Sequence, residues 1–146
     1  MSNNRSGSVL FLLYRTLRQL RFSLQQHFNE KNVALSVDQY LVLNEAHSSG
    51  MISQKMLSDR VAKDPASVTR IVHDLVKSKM ITRVTSQKDQ RISLLKVTPQ
   101  GKKELSKSQI AVQSYRKSAL KGISQQELDP IKGLLDKLFE NSGGKL

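Results

Sequence analysis

Residues 64–79 constrain this chain more than any other stretch. Asp64 is a favourable N-cap, and Pro65 suits the first helical position, where its missing N–H would have no partner anyway. Val68, Ile71, Val72, Leu75 and Val76 follow at i, i+3, i+4, i+7 and i+8, the spacing of one buried helical face. The opposite face displays Ser67, Thr69, Arg70, His73, Asp74 and Lys77. A helix of this kind is held rigidly against a core on one side and stays wet on the other.

The flanking segments supply that core. From Val9 to about Lys31, Leu10, Leu13, Leu17, Leu20, Leu24 and Phe28 recur in steps of three and four, which predicts a long helix with one apolar stripe. Arg15, Arg18 and Arg21 lie away from the stripe. Leu35-Ser36-Val37-Asp38-Gln39-Tyr40 opens a second helix: Ser36 and Gln39 have capping-box spacing, and Leu35 with Tyr40 can staple it. It runs to about His47 and stops at Ser48-Ser49-Gly50. A third helix begins at Ile52-Ser53, with Ser53 as N-cap, and continues through Val61.

After Met80 the rhythm changes. Residues 81–86 and 92–97 are rich in β-branched side chains and flank the polar connector 87–91, the pattern of a hairpin. Thr98-Pro99 starts another helix, with Leu105, Val112 and Ala119 at heptad spacing. Ser124 and Glu127 form a second capping box, followed by a narrow stripe of Leu128, Ile131, Leu135 and Leu138. Pro130 leaves two options there: it kinks the first turns, or the helix starts at Asp129 with Pro130 in first position.

Charge narrows the function. The chain has 146 residues, enough for one domain, and 24 Lys+Arg against 12 Asp+Glu give a net charge of +12. A compact body so charged repels itself, so a polyanionic partner is expected, nucleic acid or an anionic membrane surface. Between Lys55 and Lys103 there are twelve cations against four anions, so +8 of the +12 falls in this segment. Cysteine is absent, which excludes disulfides, thiol redox sensing and Cys-ligated zinc. No long apolar run predicts a transmembrane helix, and the start lacks a signal-peptide core, so a cytoplasmic protein without membrane contacts is expected. His27, His47 and His73 have no shared metal-ligand spacing. Gly101-Lys102-Lys103 lacks the upstream glycine of a phosphate loop. No enzymatic activity, metal or other cofactor is expected.

The order helix, short turn, amphipathic helix and basic hairpin suits duplex DNA. A major groove admits a helix, and an Arg one turn in is suited to bidentate contact with guanine. Asp64-Pro65-Ala66-Ser67 aims backbone N–H groups and a hydroxyl toward a phosphate. An ordinary solvated surface helix has the same pattern, and the hairpin tip separates the two. Lys88 and Arg91 can reach a minor groove, where narrow geometry concentrates negative potential. Asp89 fits if its carboxylate holds the Arg91 guanidinium in one pose.

Leu57-Ser-Asp-Arg-Val-Ala-Lys-Asp-Pro-Ala-Ser-Val-Thr-Arg-Ile-Val-His-Asp-Leu75, then Lys88-Asp-Gln-Arg-Ile-Ser93 and Val97-Thr-Pro-Gln-Gly101, resemble the MarR family of transcriptional regulators. The Asp-x-Arg hairpin tip followed by a Thr-x-x-Gly helix start is the most specific part, and the likeness covers roughly Leu35 to Leu105. Two departures are Ala62-Lys63 in the turn, where many members carry Gly, and Pro65 as helix opener. The resemblance implies a mainly α fold with a small β-hairpin. Its winged helix-turn-helix lobe (35–97) lies between an N-terminal dimerisation helix (1–34) and C-terminal dimerisation helices (98–146).

It also implies a sequence-specific regulator of transcription, a repressor acting as a homodimer on a near-palindromic operator. The expected double-stranded DNA contacts are Ser53, Pro65, Ala66, Ser67, Thr69, Arg70, His73, Lys77, Lys88, Asp89 and Arg91. Members often bind a small aromatic or anionic effector, for which Arg15, His27 and Tyr40 are the candidates. The two terminal stripes would be buried by a second copy, the alternative being that they pack on each other within one subunit. A non-specific basic protein that coats DNA is the rival function.

Overall fold

The capped segment after Asp64 forms the helix its pattern predicts, and the rest of the lobe is arranged around its apolar face. The computed structural model describes residues 8–61 and 63–144, so Ala62 of the turn, the first seven residues and the last two lie outside it. Its elements are α1 (Val9–Glu30), α2 (Val37–Ser48), β1 (Met51–Ser53), α3 (Gln54–Arg60), α4 (Pro65–Lys77), β2 (Ile81–Thr85), β3 (Ser93–Val97), α5 (Pro99–Ala119) and α6 (Gln125–Asn141). Contacts divide the chain into two compact units, residues 1–115 and 116–146, and the division falls inside α5.

In the first unit, Val68, Val72 and Leu75 of α4 are fully buried with Leu43 of α2, Leu57 of α3, Leu95 of β3 and Phe28 of α1. Each such side chain removed from water contributes about 1.5–3 kcal/mol before ordering costs are counted. The expected capping box of α2 is present: Ser36 Oγ accepts from Gln39 N, and the Gln39 side chain accepts from Ser36 N. The Phe28 ring meets Tyr40 edge-on, with centroids 5.8 Å apart. α4 ends in a Schellman turn, in which Lys79 N donates to Val76 O and Met80 N to Leu75 O. Lys79 holds the left-handed position of that turn, with φ of 60°.

The hairpin after Met80 is part of a three-stranded antiparallel sheet of order β1-β3-β2. The third strand, β1, has no counterpart in the sequence reading, which runs a helix from Ile52. Ile52 instead pairs with Leu95, and the helix follows with Ser53 as its N-cap. β2 pairs with β3 from Ile81↔Val97 to Thr85↔Ser93, and Ser86 N donating to Ile92 O extends the ladder by one rung.

The start of α5 is bolted to the start of β2. Thr98 N donates to Met80 O at 3.0 Å, Thr98 Oγ1 to Lys79 O at 2.6 Å, and Gly101 N to Thr98 Oγ1 at 3.0 Å. A Cβ on Gly101 would lie 2.1 Å from Met80 O, so only glycine allows this approach. That contact is the physical content of the Thr-x-x-Gly signature.

In the second unit, α6 starts at the Ser124–Glu127 capping box and carries Pro130 in its second turn. Of the two options, the start at Asp129 is the one not taken. Ile131, Leu134, Leu135 and Phe139 of α6 are exposed. In the first unit, Leu10 and Leu17 of the α1 stripe are 66% and 58% exposed, and only Phe28 at its far end is fully buried. Among the described residues, no helix is long and apolar enough to cross a membrane.

Candidate nucleic-acid interface

The N-terminus of α4 is built by Asp64. Its Oδ1 accepts from Ser67 N at 2.8 Å, satisfying one of the helix's unpaired N–H groups. Bonds from the Ser67 hydroxyl and N–H, with the Arg70 charge nearby, hold this carboxyl below its ordinary value of 3.8. Arg70 Nη2 reaches Ser67 Oγ at 3.4 Å, a long contact that leaves most of the guanidinium's donors open. Pro65, Ala66, Thr69, Arg70, His73 and Lys77 are exposed, and Ser67 is half-buried. The face expected to be wet is wet.

Ser53, half-buried, uses its hydroxyl to accept from Met56 N at 3.3 Å, so its side chain serves the α3 cap. His73 stands 76% exposed, its Nδ1 3.6 Å from Asp74 Oδ1.

The wing tip departs from expectation in one respect. Asp89 Oδ1 accepts the backbone N–H of Arg91 at 2.9 Å, and Asp89 O accepts from Ile92 N at 3.0 Å. The carboxylate therefore shapes the turn rather than gripping the Arg91 guanidinium. Ser86 Oγ takes the Lys88 N–H at 3.2 Å on the other side of the tip. Lys88, Asp89 and Arg91 are all exposed.

Not every cation counted along the sequence is available to a partner. Lys63 is only 17% exposed and binds Asp38 Oδ1 at 2.9 Å, a carboxylate it shares with Arg21 of α1. Arg60 is tied to Glu45 at 3.3 Å and to Ser49 Oγ at 2.8 Å. Among the described residues, no ion pair engages Arg70, Lys77, Arg83, Lys88 or Arg91.

One residue of this surface went unnoticed in the sequence, and a second, Arg83, was counted there only as a cation. Gln54, at the start of α3, donates from Nε2 to Thr69 Oγ1 at 2.9 Å, and its Oε1 accepts from Arg83 Nη2 of β2 at 3.0 Å. Gln54 lies 15 residues from Thr69 and 29 from Arg83 in sequence, and nothing in local spacing signals the contacts.

The three effector candidates are not drawn to one hollow. Arg15 borders a depression along α1 with Arg18, Gln19, Leu20 and Phe22, which reaches neither His27 nor Tyr40. Along the helix, twelve residues put Arg15 and His27 about 18 Å apart. His27 Nε2 is hydrogen-bonded to Ser114 Oγ of α5 at 2.7 Å, and its ring centroid lies 5.9 Å from that of Tyr115. Tyr40 is half-buried against Phe28.

This arrangement has relatives. The sequence model of the MarR family matches residues 35–93, the lobe from the start of α2 to the start of β3. The uncharacterised HTH-type transcriptional regulator YhbI of Bacillus subtilis is 32% identical over 118 residues, covering 76% of this chain and 74% of that protein. A solved probable transcriptional regulator from Pseudomonas aeruginosa is 28% identical, with a TM-score of 0.75 over 91% of this chain and 98% of that one. BpsR of Bordetella bronchiseptica has a TM-score of 0.85 at 23% identity, over 94% of this chain and 97% of that one, a likeness of fold alone. The capped helix α4, the hairpin, the Thr-x-x-Gly bolt and the sequence matches agree: the chain belongs to the MarR family of helix-turn-helix transcriptional regulators.

Proposed function

We propose that this regulator is a repressor that binds a near-palindromic operator as a homodimer in the cytoplasm. The observation that carries the reading is the exposed polar face of α4 beside a wing whose cations have no carboxylate partner. α4 enters the major groove with Ser67, Thr69, Arg70, His73 and Lys77, and its N-terminus at Pro65 and Ala66 meets a phosphate. Ser53 contributes by ordering the start of α3. Arg91 and Lys88 enter the adjacent minor groove, with Asp89 holding the turn that presents them. The regions 1–34 and 98–146 form the dimer. In support, α1 and α6 each leave a row of large apolar side chains exposed, which a second copy related by a twofold axis would bury.

A small aromatic or anionic effector belongs to the same proposal. The DNA binding of BpsR is regulated by 6-hydroxynicotinic acid, which is both aromatic and an acid. Arg15, His27 and Tyr40 remain the effector candidates for the dimer.

Selection of bound duplexes from a random pool tests this function. The expected product is a motif with two half-sites related by a dyad and spaced by about one helical turn. Arg91→Ala is then expected to cost about 1–3 kcal/mol of operator affinity at matched salt and to reduce the salt slope by about 1. Enrichment of no sequence favours a DNA-coating protein. Unchanged affinity for Arg91→Ala refutes the wing's role.

A further inference from the structure

Three side chains from three elements meet on the exposed side of α4. Arg83 Nη2 of β2 donates to Gln54 Oε1 at 3.0 Å, Gln54 Nε2 donates to Thr69 Oγ1 at 2.9 Å, and Thr69 Oγ1 lies 2.8 Å from Pro65 O. Chemistry fixes the direction of every bond in this chain. A guanidinium has donors only, so the Gln54 amide must turn its oxygen to Arg83 and its nitrogen to Thr69. A carbonyl only accepts, so the Thr69 hydrogen must go to Pro65 O. A hydroxyl has one hydrogen and two lone pairs. The hydrogen and one lone pair are used, and Thr69 is exposed with a single lone pair left.

We infer that Thr69 is an acceptor-only contact in the major groove, because Pro65 O takes its hydrogen and Gln54 one of its two lone pairs, and that it selects adenine or cytosine over guanine or thymine where it faces a base. The inference rests on the proposed DNA-reading role of α4. In the major groove adenine and cytosine present amino donors, N6 and N4, whereas guanine and thymine present the acceptors O6 and O4. An oxygen restricted to accepting bonds the first pair and meets the second lone pair to lone pair. A free threonine hydroxyl has no such preference, because it rotates to donate or accept as required. Gln54 is a positioning residue: by holding one lone pair of Thr69 it directs the other toward the base, and Arg83 acts on it by fixing which end of the amide faces Thr69.

The test is duplex selection from a random pool with the full chain, the Gln54→Ala variant and the Thr69→Val variant at one salt concentration. The unaltered protein is expected to favour A or C over G or T about fivefold at one position of each half-site, the worth of one neutral hydrogen bond. Gln54→Ala leaves the hydrogen on Pro65 O but releases the second lone pair from Gln54, so the remaining acceptor is no longer fixed in one direction and the ratio falls, while preferences at the other positions stay as they were. Thr69→Val keeps the shape, deletes the hydroxyl and removes the amino-base preference, and it carries the test should Gln54→Ala fail to fold. A specific motif whose A/C preference survives both substitutions, or that shows G or T at every α4-contacted position, overturns this inference alone. Failure of the unaltered protein to enrich any sequence overturns it together with the reading of α4.

Discussion

Replacing Gly101 by alanine isolates the contact behind the Thr-x-x-Gly signature. The added Cβ would stand 2.1 Å from Met80 O and 2.9 Å from Val97 Cγ1, whereas ordinary contact begins at 3.4 Å. The Met80 carbonyl must therefore move by about 1.3 Å to restore ordinary contact. That carbonyl is not free to move. It accepts from Thr98 N at 3.0 Å and shares with Lys79 O the single hydrogen of Thr98 Oγ1, 3.2 Å away, and Ile81, the next residue, is buried in β2. Overpacking of this kind costs about 1–3 kcal/mol, and each weakened hydrogen bond adds about 1 kcal/mol. Against this, alanine gains up to about 1 kcal/mol over glycine in a helix. The net loss is about 2–4 kcal/mol, seen as a fall of roughly 5–12 °C in Tm for a chain of this length. Gly133 is the control. It lies inside α6 with nothing within 4 Å of an ideal Cβ, so Gly133→Ala should stabilise by about 0.5–1 kcal/mol. Thermal melts of the two variants beside the parent decide the matter: a Gly101→Ala protein that melts at or above the parent refutes the close-approach account.

Two further substitutions probe the lobe. Burial works to raise the Asp38 carboxyl, but the Lys63 hydrogen bond and the Arg21 charge outweigh it and hold the group below its ordinary 3.8. A depressed folded value contributes stability that is present above the unfolded value and lost as pH falls through the folded one. Asp38→Asn should therefore cost up to about 1 kcal/mol near neutrality and flatten the acid limb of urea melts run from roughly pH 5 to 2, and an unaltered acid limb contradicts this. Lys79→Gly should stabilise by about 0.5–1 kcal/mol in the same melts, because it relieves a side chain held at φ of 60°, and a destabilised variant would show that the turn is unstrained.

What was legible in the sequence was local. Asp64 with the neighbouring Pro65, Ser36 with Gln39 and Ser124 with Glu127 each act within three residues, and all three helix starts form as the sequence predicts. The same locality resolves Pro130, since a complete capping box fixes the start of α6 upstream of it. β1 was hidden because three residues carry no alternation, and Met51–Ser53 becomes a strand only by pairing with β3 more than 40 residues later. The Arg83–Gln54–Thr69 chain was hidden for the same reason. Summed charge misled in a different way: it gave Lys63 and Arg60 to the partner, although folding spends both on Asp38 and Glu45.

Asp89 is where local and electrostatic reasoning part company. A carboxylate in a cationic tip is unfavourable for meeting a polyanion, so a compensating role is required of it. Pairing with the Arg91 guanidinium would have met that requirement while withdrawing donors from DNA. Bonding the Arg91 backbone N–H instead fixes the turn and leaves the guanidinium without a carboxylate partner among the described residues. Asp89, together with Ser86 across the tip, removes conformational freedom from the wing before anything binds, and ordering that would otherwise oppose association is already done. If the wing meets DNA as proposed, the acidic residue supports that interface through the backbone while opposing it through its charge.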